Sequence, residues 1–147
     1  MLRDHAWIES HIPHKGTMCL LDSVLDWDSA QVRCVSGAHR SRDNPLRSRD
    51  RLAAACGIEF AAQAMAVHGA LLDPGLHFER RVGYLASVRN VELCVGRLDD
   101  IADDLVASAV QLAADSSTVL YRFSLHAGER LLIEGRATIV LNPKAAP

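Results

Sequence analysis

Glu59 and Gln63 stand four residues apart in the stretch Gly57-Ile58-Glu59-Phe60-Ala61-Ala62-Gln63-Ala64-Met65-Ala66, which is otherwise small and apolar. On a helix that spacing puts both side chains on one face. A helix this apolar has to be buried, and a carboxylate taken out of water without a partner costs several kcal/mol or shifts its pKa upward. Two readings of Glu59 follow: an acid or base in a pocket, or the partner of an arginine at the helix surface. Histidine is the natural companion for such a carboxylate, and the chain has seven. His14 follows Pro13 in a segment able to fold back to the helix, His39 opens a basic stretch, and His68 lies more than two turns beyond Glu59. None forms a His-x-x-x-His pair, and Pro13 keeps His11 and His14 off a common helical face, so no metal site is expected. Cys19, Cys34, Cys56 and Cys94 are widely spaced, without a Cys-x-x-Cys pair, and read as small core residues.

The elements that must position these groups are legible from pattern. Trp7 to His11 is a short helical turn ended by Pro13, and Lys15-Gly16-Thr17 is a turn. A strand is predicted from Met18 to Trp27 and a second from Gln31 to Ser36, with Asp26 to Ala30 as their connection. His39 to Arg51 is almost devoid of apolar residues and carries Arg40, Arg42, Arg47, Arg49 and Arg51, a basic surface loop. The helix is predicted from Leu52 to Leu72, with Asp50 as N-cap and Asp73-Pro74-Gly75 as the stop. Strands follow over Val82–Val95, Leu105–Ala114, Thr118–His126 and Leu131–Asn142, mostly separated by hairpin-length breaks. Two strands, one long buried helix and a further antiparallel run pack most economically as an α+β hotdog fold, a sheet curled around one central helix. The edge strand of such a sheet invites pairing, so a homodimer with one continuous sheet, or a dimer of such dimers, is expected.

Composition sets the outer bounds. The 147 residues fit one domain, 1–147, that buries about two-thirds of its unfolded surface. Hydrophobic residues make up 49% and charged residues 23%, with a formal net charge of −2, ordinary values for a folded soluble domain. No run of roughly 20 uninterrupted apolar residues is present and the start has no leader pattern, so a cytoplasmic protein without a membrane span is expected. Nucleic acid is a poor partner for the arginine stretch, which has no interleaved aromatic residue.

Three segments carry a resemblance: Ile12-Pro13-His14 with Met18-Cys19-Leu20-Leu21-Asp22-Ser23-Val24, then Asp43-Asn44-Pro45, then Gly57-Ile58-Glu59 through Gln63-Ala64-Met65-Ala66. In this order they resemble the 3-hydroxyacyl-ACP dehydratases of the hotdog superfamily, and specifically the group found with aryl polyene synthesis. The resemblance covers nearly the whole chain. It implies a lyase that dehydrates 3-hydroxyacyl thioesters to trans-2-enoyl thioesters. No bound cofactor is implied, the substrate riding on the phosphopantetheine arm of an acyl carrier protein or on coenzyme A. The family acid maps onto Glu59 and the family helix glutamine onto Gln63. One departure stands out: the fatty-acid-synthesis relatives carry a Gly-His-Phe-Pro-Gly segment with the catalytic histidine before the helix, and here Pro45 to Glu59 is shorter and has none.

Dehydration needs a base for the C2 proton, a site for the enolate oxygen and an acid for the departing hydroxyl. The reading assigns the base to His14, with His39 as second choice, and the acid to a partly protonated Glu59. Cys56 and Gly57, with Gln63, would bind the thioester, the helix N-terminus offering N–H groups and Gly57 close approach. Arg47, Arg49 and Arg51 would steer an acidic carrier protein, with Arg40, Arg42, Lys15, Arg80 and Arg81 in support; coenzyme A phosphates would suit them equally, as would a purely solvated loop. Met65, Val67 and Leu71 would line the acyl tunnel. Two alternatives remain open: a thioesterase of the same fold, which uses one helix carboxylate and no histidine, and a non-catalytic partner subunit of a heteromeric dehydratase.

Overall fold

The structure, a computed structural model, describes residues 3–73 and 83–141. A short strand β1 (Arg3–Asp4) leads into helix α1 (His5–His11), whose N-cap is the Asp4 side chain, accepting from the Trp7 N–H at 2.9 Å. Strands β2 (Ser23–Trp27) and β3 (Gln31–Ser36) form a hairpin. Its turn is closed by Asp28, whose Oδ1 accepts from the N–H groups of Ala30 at 2.7 Å and Gln31 at 3.0 Å. Helix α2 (Gly57–Leu72) follows, then β4 (Gly83–Leu93), β5 (Leu105–Ala114), β6 (Thr118–Ala127) and β7 (Arg130–Leu141). All neighbours are antiparallel, and the seven strands run in the order β1-β2-β3-β5-β6-β7-β4.

Helix α2 packs on β3, β5 and β6. The strands beneath it alternate: Leu105, Ala107 and Ala109 on β5, and Tyr121, Phe123 and Leu125 on β6, point inward and are buried. A period of two with one face against a helix and one toward solvent gives this pattern. One antiparallel sheet on one long helix is the hotdog arrangement that the element order implied. The stretch from Ala54 to Leu72 has the length and apolarity of a membrane span, but it is the core helix here, with Phe60, Ala61, Ala64 and Val67 fully buried. Gly57 makes the packing possible, because a Cβ there would lie 2.3 Å from Ile133 Cδ1 and 2.8 Å from Leu125 Cδ2.

Several boundaries differ from expectation. The α-helix begins at Gly57 rather than Leu52, preceded by a 3-10 turn over Ala54–Cys56. Leu52 and Ala53 are held in extended pairing instead: Leu52 N–H donates to Asp99 Oδ1 at 2.8 Å, Leu98 N–H donates to the Leu52 carbonyl at 2.8 Å, and Ala53 bridges Arg97. Asp50 is not an N-cap. It has φ 63° and, with Arg49 at φ 53°, forms the tip of a tight turn in which Ser48 and Arg51 exchange backbone hydrogen bonds at 2.8 and 3.0 Å. Positive φ at both central positions is the type I′ turn geometry. The first predicted strand starts at Ser23 rather than Met18, since residues 16–18 form a 3-10 turn. Asp73 does cap α2, whereas Pro74, Gly75, Arg80, Arg81, Val82 and Asn142 lie outside the described residues. Cys94 is exposed, unlike the buried Cys19 and Cys34.

Candidate active site

Gln63 is fully buried on α2 and makes three hydrogen bonds. Its Oε1 accepts from Leu20 N–H at 2.9 Å, and its Nε2 donates to the Met18 carbonyl at 2.8 Å and to Glu59 Oε1 at 3.1 Å. One carbonyl and two amide protons match one donor and two acceptors, so the amide orientation is fixed by the network. The bonds fasten residues 18–20 to the helix, and with them the segment that begins at Pro13. His14 thereby comes to Glu59: its Nε2 lies 3.1 Å from Glu59 Oε1, and both side chains keep about 30% exposure, 28% and 31%. His14 Nδ1 is buried and has no hydrogen-bond partner among the described residues.

Electrostatics follow from these contacts. Burial pushes the Glu59 carboxyl up, but hydrogen bonds from His14 and Gln63, with the His14 charge, outweigh it and hold the group below the ordinary carboxylate value. Glu59 is therefore a carboxylate at neutral pH, which corrects the expectation of a partly protonated acid. The pair lies at one end of a cavity of about 350 Å³, lined by His11, Ile12 and Pro13 on one side and by Ala62, Met65, Ala66 and Gly69 along α2. The rest of the lining includes Gly83, Tyr84 and Leu85 of β4, Tyr121 of β6, and Ile139 of β7. From Glu59 to Gly69 is ten residues, about 15 Å of helix rise. A mostly apolar slot with a histidine–carboxylate pair at one end suits a ligand with an apolar tail and a polar reacting group.

Of the other predicted residues, only Met65 is brought to this cavity. Gly57 faces the sheet, and its N–H is already committed to the carbonyls of Ala54 and Ala55. The Cys56 N–H donates to the Ala53 carbonyl at 3.0 Å, while its thiol lies 3.8 Å from the Leu46 carbonyl. Neither amide is free for a thioester oxygen. His39 is fully buried, with Nε2 2.9 Å from the Ile101 carbonyl, and burial lowers its pKa. His68 is fully buried as well, with Nδ1 at 2.8 Å from the Tyr121 hydroxyl and Nε2 at 2.9 Å from the Asp28 carbonyl. Met65 lines the cavity; Val67 and Leu71 are core residues outside it. Arg47 is largely buried, its guanidinium directed at the His39 carbonyl at 3.3 Å and at Asp50 at 3.6 Å, so it is tied down rather than presented. Arg42, Arg49 and Arg51 are exposed, and Arg40 pairs with Asp104.

A family model for the ApeP dehydratase, ApeP-like, matches residues 6–146. The chain belongs to the ApeP-like dehydratase family. No curated protein sequence matches. Among solved structures, the dehydratase heterocomplex ApeI:P from Xenorhabdus doucetiae superposes with a TM-score of 0.80 at 22% identity, covering 93% of this chain and 91% of that one. A thioesterase from Staphylococcus aureus follows at 0.59 and 15%, covering 82% and 93%. A hypothetical thioesterase with coenzyme A from Streptococcus pneumoniae gives 0.57 and 12%, covering 81% and 84%. At these identities the structures share the hotdog fold. Family membership adds the dehydratase class.

His11, weighed in the sequence only as a metal ligand, was not expected at the site. It ends α1, lines the same cavity as His14, and stacks on Trp7 with ring centroids 4.0 Å apart and planes 10° apart. The signal was present: an aromatic residue and a histidine at i and i+4 on one short helix.

Proposed function

We propose that the protein dehydrates 3-hydroxyacyl thioesters, carried on the phosphopantetheine arm of an acyl carrier protein, to trans-2-enoyl thioesters. The observation that carries the reading is the His14–Glu59 pair at the end of an apolar slot along α2. The acyl tail would lie along Ala62, Met65 and Ala66, with C2 and C3 beside the pair. Elimination breaks the C2–H and C3–O bonds, forms the C2=C3 bond and adds a proton to the departing hydroxyl. With Glu59 ionised, that proton is supplied through His14, and the carboxylate orients the imidazole and stabilises it when charged. Exposed Arg42, Arg49 and Arg51 offer positive charge to an acidic carrier protein.

Assembly belongs to this reading. Among the described residues strand β4 is an edge of the sheet, with Tyr84, Leu85, Val88 and Leu93 exposed, and Tyr84 and Leu85 also line the cavity. Pairing with a second hotdog subunit, a copy of this chain or a different one, would cover that edge. The ApeI:P heterocomplex is a precedent on the same fold. A thioesterase reading has one specific support: an ionised, partly exposed Glu59 is the state that would attack a thioester or activate water.

The test is mass spectrometry of a carrier-bound 3-hydroxyacyl chain incubated with the protein, alone and with a co-expressed second hotdog subunit, beside Glu59→Gln. Loss of one water, abolished in the variant, is expected. Release of free acid would replace the dehydratase with a thioesterase, and an unaltered substrate in both settings would refute catalysis by this chain.

A further inference from the structure

The geometry points to His11 as a second catalytic histidine, the base that takes the C2 proton. This rests on the dehydratase reading and assigns His14, expected from sequence to be the base, to the leaving hydroxyl.

His11 Nδ1 lies 2.7 Å from the Trp7 carbonyl oxygen and 2.8 Å from Ser10 Oγ, and Ser10 Oγ itself donates to the same carbonyl at 2.8 Å. A carbonyl oxygen only accepts, so at 2.7 Å Nδ1 must carry the hydrogen. In the neutral ring Nε2 therefore holds a lone pair. His11 lines the cavity beside His14 and Glu59, and Nε2 is the nitrogen left for an occupant.

Several groups bear on the charge that such a base acquires. Its N–H already points at a carbonyl oxygen, a contact that strengthens when the ring becomes imidazolium. His11 is the last residue of α1, where the helix dipole favours a cation. The Trp7 indole lies against the ring at 4.0 Å, within range of a cation–π contact. The Arg3 guanidinium sits 5.4 Å from the same indole and opposes the new charge, while the fixed hydrogen bond and stack keep the imidazole in place.

The proton balance then closes over three groups. His11 Nε2 takes the hydrogen from C2, and the C2–H electron pair becomes the C2=C3 bond. The C3–O bond breaks with its electrons on oxygen, which takes the single extra proton held by the His14–Glu59 pair and leaves as water. His11 ends as imidazolium and the pair ends as neutral imidazole and carboxylate; solvent returns the proton. Two separate groups serve C2 and the hydroxyl, which suits a chain without the Gly-His-Phe-Pro-Gly histidine.

The experiment compares wild type, His11→Gln, His11→Phe and Glu59→Gln, in the subunit form in which the wild type turns over. It reads kcat, KM and exchange of C2 hydrogens with D2O. Removing a general base lowers kcat about 10²- to 10⁴-fold, so both His11 variants should lose turnover and C2 exchange on that scale with KM little changed. His11→Phe keeps a ring against Trp7, which separates loss of the nitrogen from loss of the stack. Nitrogen-15 NMR of the wild type gives an independent reading: His11 should rest as the Nδ1–H tautomer. Turnover within a few-fold of wild type in either His11 variant, or an Nε2–H tautomer, overturns the inference. An inactive Glu59→Gln beside active His11 variants would sink the inference and leave the dehydratase reading standing. A wild type that performs no dehydration removes both.

Discussion

Replacing Gln63 with methionine should cost the protein about 2–4 kcal/mol, although methionine fills nearly the same volume and the site lies in an apolar core. Leu20 N–H is a buried donor whose acceptor is Gln63 Oε1 at 2.9 Å. Leaving such a donor unsatisfied costs about 1–3 kcal/mol. The Met18 carbonyl loses its donor at 2.8 Å, but this contact is only partly buried and water can replace it, so its share is at the low end of that range. A volume-conserving swap adds little cavity or strain cost. Against a total stability of about 5–15 kcal/mol this is a large fraction, and in a chain of this size it corresponds to a fall in Tm of roughly 4–16 °C. Urea denaturation followed by far-UV circular dichroism should show a lower midpoint at unchanged slope. Gln63→Glu is the control, since it keeps an acceptor for Leu20 but sets a second carboxylate against Glu59. It should raise the pKa of the carboxylate pair while sparing part of the stability at low pH. A loss below about 0.5 kcal/mol in Gln63→Met would refute the claim that this amide fastens residues 18–20 to α2.

Other predictions follow from single contacts. The folded Glu59 pKa lies below its unfolded value near 4.5, so its contribution to stability is fully present above pH 4.5 and is lost as pH falls through the folded value. The stability difference between wild type and Glu59→Gln should accordingly be flat above about pH 5 and change only below it in denaturation series. Tyr121→Phe should cost about 1–3 kcal/mol by thermal melting, because it removes the hydroxyl bonded to the fully buried His68 Nδ1 while keeping the ring. Asp50→Gly should stabilise by about 0.5–1 kcal/mol by removing a side chain from φ 63°; a destabilised variant would contradict the turn geometry.

How far the sequence could be read depended on where each residue finds its hydrogen-bond partners. Strands β5 to β7 were legible because one face meets α2 and the other meets water, so alternation reports burial directly. Met18 to Leu21 looks like a strand by the same criterion, yet Gln63, more than forty residues later, holds Met18 and Leu20, and no local pattern contains that information. Leu52 to Ala54 looks helical because it is alanine-rich, but Asp99 and Leu98 draw Leu52 into extended pairing. At the site, the four-residue spacing of Glu59 and Gln63 was sufficient to find the carboxylate and its neighbour. Gly57 was misread as a functional glycine because composition cannot tell close approach to a ligand from close approach to Ile133. Arg47 looked like surface charge for a similar reason: burial of a guanidinium depends on acceptors such as the His39 carbonyl, brought there by the fold.

Three polar side chains on the apolar helix α2 separate structure from function. Gln63 and His68 are fully buried and every polar atom is paired, Gln63 with Leu20, Met18 and Glu59, and His68 with Tyr121 and Asp28. Such groups hold segments together, and their replacement should appear in stability. Glu59 differs: it is partly exposed, it lines a cavity, and its partner His14 has a buried nitrogen without a hydrogen bond among the described residues. A carboxylate kept half-desolvated beside an incompletely bonded histidine contributes little to the fold, since burial opposes the charge that its hydrogen bonds favour. Glu59→Gln, which preserves shape and hydrogen-bonding capacity, should thus change stability at pH 7 by no more than about 1 kcal/mol. It should abolish the reaction in the same preparation, while Gln63→Met loses stability first. Urea midpoints and turnover measured side by side on the two variants decide the matter, and a Glu59→Gln protein as destabilised as Gln63→Met would make Glu59 a structural residue.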